Sequence, residues 1–385
     1  MHFPRPLGLS LSPILPLSFV KNREDNLRYF IAGKTKFVVA TRGAIILMCV
    51  ANTDEPPGYL AMQLDYFYGQ IISIVTGGVH KAFERSSKFD LRGLLSGAEK
   101  IMQSLIGQMS TDMSFLLNAY QCLRLPSKDR LGVAKILKDC RPDDSQMPFA
   151  MIVSKNKLLT LLRNKKFDLS PHDLLLIFNF VHSSGSFVTS ESWTPVCLPR
   201  FNNQGFLYAY ICYLAPELCL ILITPAPTEF DMLRECKQKI EKVLVSHGLL
   251  EDLARRVQSE FHFQVAECGI PDLYHFVYVN KTHQQFVMPA FESPYITVRS
   301  KKRLFRLYQN IHAQMHRPGV HLKNYFYSGS SEVICVATSK DYELHAAFSP
   351  LITKSLAFTA FNRLRQWIKR EDDNLFMGEA TIFKT

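Results

Sequence analysis

The sequence has no CxxC pair, and its nine cysteines are an odd number that no complete disulfide framework can use up. Cys49, Cys197, Cys212, Cys219 and Cys335 fall inside predicted strands, so they read as reduced core thiols of a cytosolic chain. Catalytic motifs are missing as well. There is no Walker A loop, no GxSxG elbow and no strand-associated GxGxxG, and Thr76-Gly77-Gly78 is a bare helix stop. These absences exclude the recognisable forms of phosphate-loop, serine-hydrolase and dinucleotide chemistry and leave no cofactor to expect. No segment qualifies as a membrane span. The apolar run PLGLSLSPILPLSFV is broken by prolines between Pro4 and Pro16, so residues 1–25 read as an irregular lead-in and not as a signal peptide. Asn280-Lys281-Thr282 is a glycosylation sequon that carries no weight in a cytosolic chain. A long disordered block is excluded by 47% hydrophobic and 21% charged residues.

What is present is a repeat. A chain of 385 residues suits three domains of roughly 100 to 150 residues. The unit over 147–260 is complete. It opens with a hairpin, Phe149 to Val153 and Leu158 to Leu162, followed by a helix that Ser170 caps with Pro171 in its first turn. Three strands follow between Ser190 and Thr224, turning at Asn202-Asn203-Gln204-Gly205 and Ala215-Pro216-Glu217. The strands Phe206 to Leu214 and Leu218 to Thr224 are apolar at nearly every position, so helices should cover both faces of their sheet. A helix capped by Thr228 and stopped at Gly248 closes the unit.

The unit over 268–385 repeats this order. It has strands Leu273 to Val279 and Gln285 to Phe291, then a basic helix Val298 to His316. A meander follows at Leu322 to Tyr327, Val333 to Thr338 and Glu343 to Phe348, and a helix Thr353 to Leu375 ends it. The unit over 26–135 matches only the second half. It has strands Leu27 to Ile31, Lys36 to Ala40 and Ala44 to Ala51 and a helix Tyr59 to Thr76, then helical sequence to about Leu123; Pro126 to Asp144 reads as a polar connector. The period is roughly 110 residues, and the implied class is α/β of the α+β type, antiparallel sheets between helices.

A net charge of +11 favours anionic partners. Arg299, Lys301, Lys302, Arg303 and Arg306 cluster over two turns of the basic helix, and Arg363, Arg365, Lys369 and Arg370 mark the last helix of the same unit. They read either as a solvated face or as a patch for anionic phospholipid head groups. Nucleic acid is not expected, because no stacking aromatics accompany the charges in a known module. Trp193 and Trp367 read as structural or interface anchors. His312 and His316 have the i,i+4 spacing of a metal pair, but Ala313 stands where a zincin carries its glutamate, so they read as a surface pair and no metal site is assigned. Glu371-Asp372-Asp373 points to different helix faces and reads as a solvated helix end.

Five stretches carry a resemblance: FDLRGLLSG at Phe89 to Gly97, SWTPVCLPRFN at Ser192 to Asn202, GIPDLYHFVY at Gly269 to Tyr278, LYQNIHA at Leu307 to Ala313 and FSPLITK at Phe348 to Lys354. In these the chain resembles the SAND family of vacuolar fusion proteins, the Mon subunit of the Mon/Ccz complex. The resemblance implies three longin domains, each with a five-stranded sheet in the order 2-1-5-4-3. It also implies a guanine nucleotide exchange factor subunit, not a covalent catalyst, acting with a Ccz-type longin protein on the Rab GTPase of late endosomes and vacuoles. Such a protein would be cytoplasmic and peripheral on late-endosomal, vacuolar or lysosomal membranes. The alternative reading is a longin adaptor or tether without exchange activity; a hydrolase is a third, weaker one. Against the family pattern the first domain here is expected to be incomplete, with residues 1–25 standing where the family has an acidic tail and then two strands and a helix. Weakened exchange and an unpaired edge at 44–51 are therefore expected.

Overall fold

The computed structural model describes residues 28–86, 89–142, 146–185, 190–258, 263–317, 319–320 and 322–383. The lead-in and Leu27 lie outside these. β1 (Tyr29–Ala32), β2 (Thr35–Arg42) and β3 (Ile45–Ala51) form an antiparallel sheet of their own in the order β1-β2-β3. Its two tight turns are possible because Gly33 and Gly43 take φ of +61° and +60°. The apolar run of β3 is covered on one face only: Ile45, Leu47, Cys49 and Ala51 are buried while Ile46 and Val50 are exposed. The covering element is α1 (Pro57–Val75), which buries Leu60, Leu64, Phe67 and Ile71.

Next come α2 (Val79–Arg85), α3 (Glu99–Met109) and α4 (Met113–Leu117), the last capped by Asp112, whose Oδ1 accepts from the Ser114 amide at 2.8 Å. The helical run expected to reach Leu123 stops at Asn118, which takes φ 45°, and a short strand β4 (Tyr120–Cys122) replaces it. The stretch read as a polar connector holds a helix, α5 (Ser127–Asp139). Its buried positions Arg130, Val133, Ala134 and Leu137 keep helical spacing, but lysines and aspartates hide them in the composition. Arg130 donates to the carbonyls of Leu159 at 2.7 Å and Leu123 at 2.9 Å, so a buried cation ties this helix to the sheet below it.

The second unit contains β5 (Phe149–Ser154), β6 (Lys157–Asn164), α6 (Pro171–Ser183), β7 (Ser192–Leu198), β8 (Asn202–Ala215), β9 (Leu218–Thr224), α7 (Phe230–Ser246) and α8 (Leu249–Gln258). Ser170 caps α6 as expected, its Oγ accepting from the Asp173 amide. Two local expectations fail. Asn202 to Gly205 lies inside β8, because Leu198 already pairs with Asn202 and the reversal is completed between them. Glu229, not Thr228, occupies the cap position of α7, without a side-chain cap bond.

The third unit contains β10 (Leu273–Asn280), β11 (Gln285–Val287), α9 (Val298–Met315), β12 (Asn324–Ser328), β13 (Val333–Thr338), β14 (Tyr342–Phe348), α10 (Lys354–Arg370), α11 (Asp372–Leu375) and β15 (Thr381–Phe383). β11 stops at Val287, short of the expected Phe291.

The second and third units share one strand order, β6-β5-β9-β8-β7 and β11-β10-β14-β13-β12, which is the longin order 2-1-5-4-3. β4 lies parallel to both β6 and β11 and fuses the two sheets into one of twelve strands, with β15 beside β6. Gln285 locks this seam. Its buried amide donates to Tyr120 Oη at 3.1 Å and to the Gly378 carbonyl at 2.9 Å, and its oxygen accepts from the Met377 amide at 2.9 Å and from Cys122 Sγ at 3.3 Å. The first unit joins the second through α1 and α6. Tyr66 stacks on His172 at 4.5 Å, and Gly69 is required beneath that ring, since a Cβ there would stand 2.4 Å from His172 Cε1.

Candidate interaction surfaces

Among the described residues, two regions present apolar or charged surface left open by the fold. On the three-stranded sheet the register aligns Phe30 with Phe37 and Val50, Val39 with Met48, and Thr41 with Ile46. These side chains share the face turned away from α1, where Phe30 and Phe37 stack at 4.6 Å and Ile46 and Val50 lie exposed. All four residues of β1 are exposed, and among the described residues no strand pairs with the outer edge of β3. In the other two units the equivalent edge continues into two further strands. An apolar face beside an open edge is a template for another chain.

The second region is the N-terminal turn of α9, and the five basic residues do not act there as one patch. Arg299 and Lys302 are exposed, and Lys301 Nζ lies 5.5 Å from the Phe291 ring centroid. Arg303 instead makes a bidentate ion pair with buried Glu332, whose Oε2 also accepts from Tyr295 Oη at 3.2 Å. Arg306 faces Asp54 of the first unit at 3.8 Å. Apolar side chains flank the free charges: Ile296 is 69% and Val298 70% exposed. Leu351, 90% exposed in the loop between β14 and α10, belongs to the same end of the sheet, because Phe348 pairs with Val333 next to Glu332. Arg363, Lys369 and Arg370 line a separate groove of about 520 Å³ bordered by Trp367, and Arg365 lies over the Tyr342 ring at 4.6 Å.

The remaining candidates are placed as follows. Trp367 is buried against Phe263 and Phe276, while Trp193 is half-buried, stacked on Tyr208 at 5.6 Å and edge-on to Phe230 at 5.8 Å. His312 and His316 turn toward the sheet and converge on Glu343 of β14. That carboxylate could not be paired with them from the sequence, where it lies on a distant strand. All nine cysteines are free, and burial pushes the thiols of Cys197, Cys212 and Cys236 up to about 12, so they stay protonated and inert. Among the described residues no helix is long and apolar enough to cross a membrane.

Comparison with known proteins agrees with this architecture. Sequence profiles described as the first, second and third longin domains of FUZ, MON1 and HPS1 match residues 14–105, 145–242 and 272–372. The first match begins inside the stretch read as a lead-in. The chain is similar to vacuolar fusion protein MON1 homolog A of Gallus gallus, 36% identical over 364 residues that cover 94% of this chain and 66% of that protein. It is 33% identical over 408 residues to the MON1 homolog of Oryza sativa subsp. japonica, covering 97% of this chain and 71% of that one. With vacuolar fusion protein MON1 of Yarrowia lipolytica it shares 32% over 366 residues, covering 93% and 67%. The chain therefore spans about two thirds of the length of these relatives.

Proposed function

The chain belongs to the Mon1/SAND family of longin-domain vacuolar fusion proteins, and from that premise we propose that it is one subunit of a guanine nucleotide exchange factor for a late-endosomal Rab GTPase. It acts with a Ccz-type longin partner in trafficking to the vacuole or lysosome. The observation that carries this reading is the open apolar sheet of the first unit, which offers a second longin domain both a face and an edge. Exchange requires no nucleophile: the factor binds most tightly the Rab switch conformation that has lost its nucleotide contacts. A tenfold faster release corresponds to about 1.4 kcal/mol of such differential binding.

The complex sits peripherally on anionic membrane through the tip of the third unit. Arg299, Lys301 and Lys302 supply charge there, and Ile296, Val298 and Leu351 supply apolar contact. The decisive measurement is nucleotide release from the Rab with this chain alone, with the Ccz-type partner alone, and with both. Acceleration only by the pair is expected. A stable pair that leaves release unchanged overturns exchange activity and leaves an adaptor or tether.

A further inference from the structure

At the C-terminal end of α9, His312 and His316 stand on one helix face, their rings 4.2 Å apart. Glu343, almost fully buried on β14, comes up beneath them. His316 Nε2 lies 2.9 Å from its Oε2, and His312 Nε2 lies 3.9 Å from its Oε1, beyond hydrogen-bond reach. One donor atom from each residue falls within 4.8 Å of the others. Bonds of about 2.0–2.1 Å in a tetrahedral zinc site put donors about 3.3 Å apart, so small side-chain rotations bring this trio to coordination distance.

We propose that His312, His316 and Glu343 form a site for a divalent transition metal of the zinc class. Two imidazoles and one carboxylate are the nitrogen and oxygen donors this class selects. A metal bound through Nε2 leaves the proton of each imidazole on Nδ1, so His316 gives up the Nε2–H bond that it makes to Glu343 Oε2 in the metal-free chain.

Support around the site is in place. His345 Nε2 donates to Glu343 Oε1 at 2.8 Å and Thr338 Oγ1 to Oε2 at 3.3 Å, which fixes the carboxylate plane. The side chains of His312 and His316 are 24% and 43% exposed, so the site opens to solvent and water completes the tetrahedron. One group opposes the metal: Lys281 Nζ lies 3.3 Å from Glu343 Oε2 and is the resident counter-charge. It also bonds the Thr338 hydroxyl and the Ser339 carbonyl, so it keeps partners when the carboxylate is taken.

The test uses the full chain stripped with chelator and titrated with Zn²⁺ by calorimetry, with Co²⁺ absorption as a second probe. One saturable equivalent is expected. His316→Gln keeps a donor for Glu343 at an exposed position and should abolish that equivalent without lowering the melting temperature of the metal-free chain. His345→Ala should weaken binding by about 10- to 100-fold, whereas Lys281→Met should tighten it. No saturable binding in the parent chain, or binding unchanged in both His316→Gln and His312→Ala, overturns the proposal and places any bound zinc elsewhere.

Discussion

Trp367 fills the core of the third unit between Phe263 and Phe276, whereas Trp193 is only half-buried, stacked on Tyr208 and edge-on to Phe230. Trp367→Ala should therefore cost about 3–5 kcal/mol in urea unfolding, and Trp193→Ala about 2 kcal/mol, since less surface and a smaller cavity are involved. Equal losses would mean that exposure does not set the difference. A second residue-scale expectation concerns His275, which is fully buried, stacks on Phe291 at 4.6 Å and is held down to about 3 by desolvation. Its folded-state value lies below its unfolded one, so its contribution is fully present above about pH 6.5 and is lost as pH falls toward 3. Unfolding measured between pH 7 and 5 should show up to about 1.4 kcal/mol lost per pH unit below 6.5 from this group, and His275→Gln should remove that share of the slope.

At the scale of elements, α9 divides its charges between two tasks. Reversing Arg299, Lys301 and Lys302 to Glu should weaken sedimentation with anionic liposomes, more so at low salt, and leave the fold unchanged. Arg303→Glu should behave differently: it sets two carboxylates against each other at buried Glu332 and should lower stability by about 3–5 kcal/mol. A triple reversal that sediments like the parent would leave a solvated helix face. The seam at β4 gives a separate expectation. Gln285→Leu strands several buried polar partners, each at about 1–3 kcal/mol. Amides at 120–122 and 377–383 should then exchange fastest, ahead of the sheets on either side.

For the molecule as a whole, the twelve-stranded sheet and the three-stranded one should differ in protection. β8 and β9 lie inside a sheet covered on both faces, while among the described residues β1 to β3 have one bare face and one open edge. Hydrogen exchange should show poor protection across 29–51 and strong protection across 206–224 in the isolated chain. The Ccz-type partner should raise the first without changing the second. Equal protection in the chain alone would mean that residues before 28 already complete the first sheet.

The sequence by itself determined the element order repeated in the second and third units, the meander of the first, and the bounds of α1, α7 and α9 to within a residue or two. Apolar period, turn glycines and caps such as Ser170 act within a few residues and can be read along the chain. β4 and β15 could not be read, because three residues show no period and their pairing comes from strands far away. α5 was hidden because its buried face includes Arg130, whose solvation is supplied by carbonyls of other elements. The division of the basic cluster and the meeting of His312 and His316 with Glu343 were likewise settled by tertiary structure. A side chain's charge is local, but its counter-charge is wherever the fold places it.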